Sequence, residues 1–223
     1  MKKNLLIGFT GSVASILSTK ICKAFTNDYN VKVVVTESAR QFVDPRELTA
    51  VGVDVFFDHD EFYPYIASTD RRSLHEHPVL FSTHQRPYQK NDPIRHIVLR
   101  DWADCLLIAP CSVNTLSKIA NGICDNLLTS IIRAWDFHNS ICDDDSDVPG
   151  FEEDKKEKKI ILAPAANCKM WDHPVTQEHI EKIGHWGIWV VKPIKKKLAC
   201  GEVGIGAMEN IETIIHFVKQ ASL

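Results

Sequence analysis

The chain has 223 residues, 44% of them hydrophobic and 25% charged, with a formal net charge of −3. This length and apolar content suit one globular domain with a sizeable core. Dispersed lysines and arginines give no basic field for nucleic acid, and no apolar run approaches the roughly 20 residues that span a bilayer.

Seven cysteines, an odd number without a CxxC pair, argue against a disulfide framework. Cys105 and Cys124 lie in apolar segments, as reduced buried cysteines do, so an intracellular (cytoplasmic) location is expected. Ten histidines are scattered; His75, His77 and His84 read as solvated loop residues, and no metal site is expected.

Residues 4–9 predict a first core strand rather than a signal peptide, because their short apolar run meets Gly8, Gly11 and Ser12. A helix follows to about Phe25, with Ile16, Leu17, Ile21 and Cys22 facing inward. Small residues at this turn let the backbone approach a phosphate. Neither GxGxxG nor the P-loop pattern is present, so a dinucleotide site or a nucleotide triphosphatase is not supported. Val31 to Val35 predicts a parallel strand, and Thr36-Glu37-Ser38 caps the next helix. That gives a right-handed βαβ unit with two polar strand ends side by side.

Phe42 to Leu48 reads as weakly helical, interrupted by Pro45, and Val53 to Phe56 as a short strand. Residues 58–95, with prolines at 64, 78, 87 and 93, read as an irregular insertion. The chain re-enters the body at Ile94 to Trp102. Taken alone, the local pattern favours a structural role for His96 over a catalytic one.

Cys105 to Ala109 predicts a strand buried on both faces and stopped by Pro110. Ser112, Asn114 and Thr115 open a helix with Leu116, Ile119 and Ala120 inward, ended by Asn121-Gly122. Leu127, Leu128, Ile131, Ile132 and Trp135 mark a second helix. The turn between strand and helix is either an ordinary capped connection or a place where N–H groups face an anion.

Residues 142–159, acidic and then lysine-rich, predict a mobile loop. Ile160 to Ala163 is a further strand, ending in Pro164-Ala165-Ala166-Asn167. A helix from Pro174 to Ile183, with Ile180 and Ile183 inward, and a strand from Gly187 to Val191 follow. Lys195 to Met208 reads as a glycine-rich loop, and Glu209 to Lys219 as a terminal helix. Three lysines beside Cys200 form either a basic surface turn or a cluster that lowers the thiol's pKa.

The alternation predicts an α/β fold, a single-domain Rossmann-like (flavodoxin-like) three-layer sandwich with a mostly parallel sheet. Ligands of such sheets bind across the carboxyl ends of the strands. Turns rich in hydroxyls and poor in charge suit a ligand held by backbone and hydroxyl groups, with one phosphate.

Five ordered blocks carry more. GFTGSVAS at 8–15, HIVLRDWAD at 96–104, APCSVNTLSKIANGICDNLLTSIIRAWD at 109–136, PAANCKMW at 164–171 and KLACGEVGIGAM at 197–208 resemble the homo-oligomeric flavin-containing cysteine decarboxylases, most closely the branch acting in coenzyme A biosynthesis. The resemblance runs from about residue 4 to residue 217, apart from the two irregular stretches. It implies that Gly11, Ser12 and Val13 hold the phosphate of flavin mononucleotide (FMN). Thr36 and Ser38 would form a second flavin contact, Ser112, Val113, Asn114 and Thr115 a third, and Ala165 a fourth. It makes His96 the active-site histidine, Asn167 the holder of the substrate carboxylate and Cys200 the proton donor of the last step. Lys197, Ala199 and Met208 would contact substrate from a closing flap at 195–208.

The implied reaction converts 4'-phosphopantothenoylcysteine to 4'-phosphopantetheine. The cysteinyl thiol is oxidised to a thioaldehyde, carbon dioxide leaves, and the enethiolate is reduced and protonated. A flavin provides the electron sink that a carboxylate needs in order to leave, and no pyridoxal-phosphate lysine site is evident. The resemblance also implies a homotrimer with sites at subunit boundaries, where His96 meets Asn167 of a neighbour. One departure stands out: the family's PxMNxxMW here has Ala166 in place of methionine.

Competing readings are a regulatory protein-phosphatase-binding subunit on the same scaffold, a peptidyl-cysteine decarboxylase, and a flavin prenyltransferase. The joint presence of His96, Asn167 and Cys200 favours the enzyme. The KLACGE block favours a small phosphorylated substrate, whose charge Lys197 would neutralise.

Overall fold

The computed structural model describes residues 2–61, 90–137, 158–197 and 201–221. Most of the expected insertion and of the acid-rich run lies outside them, as do His75, His77, His84, Ala199 and Cys200.

The main sheet has the spatial order β3 (Asp54–Phe57), β2 (Tyr29–Val35), β1 (Lys3–Phe9), β4 (Cys105–Cys111), β5 (Lys159–Pro164) and β6 (Trp189–Val190). Every neighbouring pair is parallel. Strands so placed are covered on both faces, and β4 is buried along its whole length.

Because side chains alternate across a strand, the central strands divide between two cores. Leu5, Ile7, Phe9, Val33, Val35, Leu107 and Ile161 face α1 (Ser18–Phe25), α2 (Pro45–Ala50) and α8 (Ile211–Ala221), meeting Ile21, Phe25, Leu48, Ile214 and Val218. Leu6, Val34, Leu106, Ile108, Ile160 and Leu162 face the other way. They meet Leu99 of α3 (Arg95–Trp102), Leu116 and Ile119 of α4 (Val113–Ala120), Leu128 and Ile131 of α5 (Leu127–Arg133), and Ile183. The last belongs to α7 (Pro174–His185), which follows the short α6 (Cys168–Trp171). Gly8 sits where α5 presses on the sheet: a Cβ there would stand 2.8 Å from a Leu128 methyl.

Several expectations are corrected. Pro110 does not stop its strand. β4 continues to Cys111, which pairs with Pro164 after a register shift, so the missing N–H is absorbed by an irregularity in the ladder. Pro45 does not interrupt a helix but starts one: Asp44 accepts a hydrogen bond from the Arg46 N–H, and proline occupies the first turn, where no intrahelical donor is needed. Ile16 and Leu17 point outward, 63% and 38% exposed, because residues Val13–Leu17 form a 3-10 turn, which rotates them off the α-helical face. Cys124 is exposed rather than buried. The irregular stretch is narrower than expected, since a 3-10 turn covers Asp58–Asp60 and α3 begins at Arg95. The glycine-rich loop is a two-stranded antiparallel hairpin, β7 (Ile194–Lys197) with β8 (Val203–Ala207).

β1, β2 and β3 advance to one side of the sheet, β4, β5 and β6 to the other. The reversal falls between the carboxyl ends of β1 and β4, the crevice where open α/β sheets bind ligands.

Candidate functional site

Thr10, fully buried, lies in that crevice. Its hydroxyl donates to the Pro110 carbonyl at 2.8 Å and accepts from the Ser112 N–H at 2.8 Å, joining the loops after β1 and β4. Ser15 Oγ donates to the Thr10 carbonyl at 2.7 Å, and Ser12 caps the 3-10 turn that leads into α1. Gly11, Ser12 and Val13 therefore lie on a tightly wound loop over a helix entrance.

The loop after β2 meets it. Thr36 donates its N–H to the Phe9 carbonyl at 3.1 Å, and its hydroxyl lies 3.3 Å from Ser38 Oγ. A Cβ at Gly11 would stand 2.6 Å from that Oγ, so only glycine permits the two loops to touch. After β4, Ser112 accepts from the Thr115 N–H at 3.2 Å and donates to the Thr115 hydroxyl at 3.1 Å, fixing the start of α4. Val113 and Asn114 occupy that first turn. Thr36, Ser38, Arg40, Asp58, Asn114 and Lys118 are among the residues lining an open cleft of about 710 Å³. Asp58 braces it, accepting from the Glu37 and Leu127 N–H groups at 2.9 and 3.2 Å. Burial pushes the Asp58 carboxyl up, against the two N–H groups that favour its ionised form.

At the end of β5, Ala165 is buried and donates its N–H to the Cys111 carbonyl at 3.0 Å. Asn167 caps α6. Its Oδ1 accepts from the Lys169 N–H at 2.8 Å, which leaves Nδ2 to donate to Glu202 Oε2 at 3.0 Å. The Cys168 thiol donates to the same oxygen at 3.2 Å, an acceptor that raises its pKa. Glu202 belongs to the connection of the hairpin, which lies directly over this loop. The Ala166 N–H donates to the Gly206 carbonyl at 2.8 Å, and a Cβ at Gly206 would collide with the Ala166 carbonyl oxygen.

The hairpin separates two residues expected on one flap. Lys197 is exposed, whereas Met208 is buried in the core at 8% exposure. His96 opens α3, and its Nδ1 pairs with Glu61 Oε1, a buried carboxylate. Glu61, Thr10, Asp58 and Glu202 escape a reading of the sequence. Thr10 adjoins a recognisable turn, but no spacing signal links Glu61 to a histidine 35 positions away.

Burial pushes the Cys22, Cys105 and Cys111 thiols up to about 12, so the cysteine nearest the β4 loop is no nucleophile. Among the described residues no cluster of histidine, cysteine or carboxylate side chains could hold a metal, and no helix is long and apolar enough to cross a membrane.

The loops fit FMN. Their side chains are short, and glycine admits close approach at Gly11. Neither the 3-10 turn, α1 nor α4 carries an acid in its first turn, so their N-terminal dipoles remain uncompensated for a phosphate. Gly11, Ser12, Val13, Thr36, Ser38, Ser112, Asn114 and Thr115 would hold it, with Ala165 behind.

Comparison with known proteins bears on the chemistry. The family described as Flavoprotein matches residues 1–223. A phosphopantothenoylcysteine decarboxylase of Arabidopsis thaliana is 37% identical over 218 residues, covering 98% of this chain and 84% of that protein. One of Mus musculus is 35% identical over 220 residues, covering 98% and 86%. Among solved structures, a mutant PPC decarboxylase complexed with pantothenoylaminoethenethiol superposes with a TM-score of 0.78 at 36% identity, covering 99% of this chain and 98% of the other. The FMN binding protein AtHal3 gives 0.75 at 37%, covering 99% and 96%.

Proposed function

Because the chain belongs to the Flavoprotein family, we propose that it is an FMN-dependent decarboxylase converting 4'-phosphopantothenoylcysteine to 4'-phosphopantetheine. The observation that carries this reading is the Asn167 carboxamide, fixed at its oxygen by Lys169 and turning its donor towards the hairpin, beside loops suited to a flavin phosphate. FMN, when bound, supplies the two-electron acceptor for oxidising the substrate thiol and the donor for the closing reduction.

The chain's own residues do the rest. Asn167 Nδ2 holds the substrate carboxylate, and as a neutral donor it fixes that group without strongly opposing its loss. Glu202 occupies this donor in the present arrangement, and the substrate carboxylate replaces it. His96 orients substrate or takes a proton, Cys200 protonates carbon at the end, and Lys197 neutralises substrate charge.

The active form in this reading is a homotrimer. Ile16, Leu17, Val98, Met170, Val203 and Ile205 leave apolar surface uncovered on a single chain, and subunit contacts would cover it. The free thiols at Cys22, Cys105, Cys111, Cys124 and Cys168 support a reducing, cytoplasmic setting.

The test is the absorbance spectrum of the purified protein, then anaerobic incubation with 4'-phosphopantothenoylcysteine and detection of carbon dioxide. A yellow protein that releases carbon dioxide is expected, with light scattering giving three copies. A flavin-loaded protein that leaves this substrate untouched overturns the assignment.

A further inference from the structure

His96 stands in the first turn of α3 with a quarter of its side chain exposed. Its Nδ1 meets Glu61 Oε1, and Glu61 is 9% exposed. The main chain repeats the connection, since the Arg95 N–H donates to the Glu61 carbonyl at 3.0 Å. Glu61 is thus fixed by backbone and side chain to the start of the helix that carries the histidine. Its second oxygen, Oε2, is buried and has no hydrogen-bond partner among the described residues.

Burying a carboxylate with one oxygen unsatisfied costs stability, and a neutral residue would brace the helix at less expense. What a carboxylate does here that an apolar residue cannot is direct the ring. A neutral imidazole has one N–H and one lone pair, and the partner of one nitrogen decides the role of the other. With Nδ1–H donated to Glu61, the lone pair lies on Nε2 and the ring plane is held.

We infer that Glu61 is the positioning residue of His96: it keeps the proton on Nδ1 and presents Nε2 to the substrate. This rests on His96 belonging to the active site, as proposed above. Glu61 touches no reacting atom and acts through the ring.

The test compares E61A, E61Q, H96N and the double variant E61A/H96N as flavin-loaded proteins, alongside 15N spectra of histidine-labelled protein in which the His96 signal is assigned by its loss in H96N. A positioned acid–base group contributes about 10²- to 10⁴-fold. H96N should therefore lose turnover, and E61A should lower kcat at least about tenfold with KM little changed. E61Q should recover much of that loss, because its amide oxygen still accepts from Nδ1–H. E61A should cost nothing further in the H96N background, and its spectrum should move the His96 proton from Nδ1 towards Nε2. If E61A fails to fold, E61Q and the wild-type tautomer carry the test. Full kcat in E61A while H96N is inactive, additive losses in the double variant, or a wild-type proton on Nε2 overturns the inference. Full turnover in H96N overturns the active-site reading instead, and the spectra then decide alone whether Glu61 governs the ring.

Discussion

The Thr10 hydroxyl is shared between the Pro110 carbonyl and the Ser112 N–H, both at 2.8 Å, so one buried side chain ties together the ends of the two central strands. Thr10→Val keeps the shape and removes both bonds, leaving a buried donor and acceptor unpaired. The expected cost is about 1–3 kcal/mol, read as a lower urea midpoint at unchanged m-value. Thr10→Ser, which retains the hydroxyl, should lose much less. Equal stability of all three proteins would show that the bridge contributes nothing.

Gly11→Ala tests the contact of the first two loops. The new Cβ would lie 2.6 Å from Ser38 Oγ and 2.8 Å from Ser38 Cβ, so the loops must part while the sheet beneath them stands. FMN affinity should fall about tenfold or more, equivalent to roughly 1.4 kcal/mol, with far-UV circular dichroism unchanged. Fluorescence titration of the apoprotein with FMN measures it, and undiminished affinity contradicts the role given to this turn.

Gly8→Ala addresses packing alone. Its Cβ would meet both Leu128 methyls, at 2.8 and 2.9 Å, an overpacking of a kind that typically costs about 1–3 kcal/mol. Thermal denaturation should show the loss, and Leu128→Ala in the same chain should cost less than it does alone, because the added methyl fills part of the space it vacates. Strictly additive effects would place the strain elsewhere.

Cys168 carries the pH prediction. The Glu202 carboxylate accepts from its thiol, which favours the protonated form and raises the pKa, with burial and the Glu202 charge acting in the same direction. At a given pH the thiolate fraction, and with it alkylation by iodoacetamide, is therefore smaller than for an ordinary thiol. Glu202→Ala should move the rate–pH profile of Cys168 to lower pH, followed by mass spectrometry of the peptide bearing it. A profile that stays put shows that Glu202 does not hold the thiol in solution.

The sheet was legible because its strands are short apolar runs ending in small polar residues, the pattern of strands buried on both faces. Cys105 to Ala109 and Ile160 to Ala163 needed nothing more. The Lys195–Lys197 stretch gave no strand signal, since its side chains are all exposed and its pairing depends on Gly204 and Gly206 fitting closely over Cys168 and Ala166. Pro110 misled because a single residue cannot tell whether a ladder ends or shifts register. The loops proposed to hold the flavin were visible as turns, and only the resemblance suggested a ligand for them. Glu61 and Glu202 were invisible for a different reason: each acquires its role from a tertiary contact across more than 30 residues.

The order of the strands also bears on how the protein is made. The loops proposed above to hold the ligands run from Thr10 to Asn167, and the strand joining the halves, β4, is synthesised after β1, β2 and β3. A nascent chain therefore has no complete cradle until β5 has left the ribosome and joined the sheet, so the cofactor has no assembled site on earlier intermediates. A ligand that binds only the finished fold stabilises it by mass action. In a cell short of flavin, the loaded fraction would fall, and the stabilisation that binding gives the folded chain would fall with it.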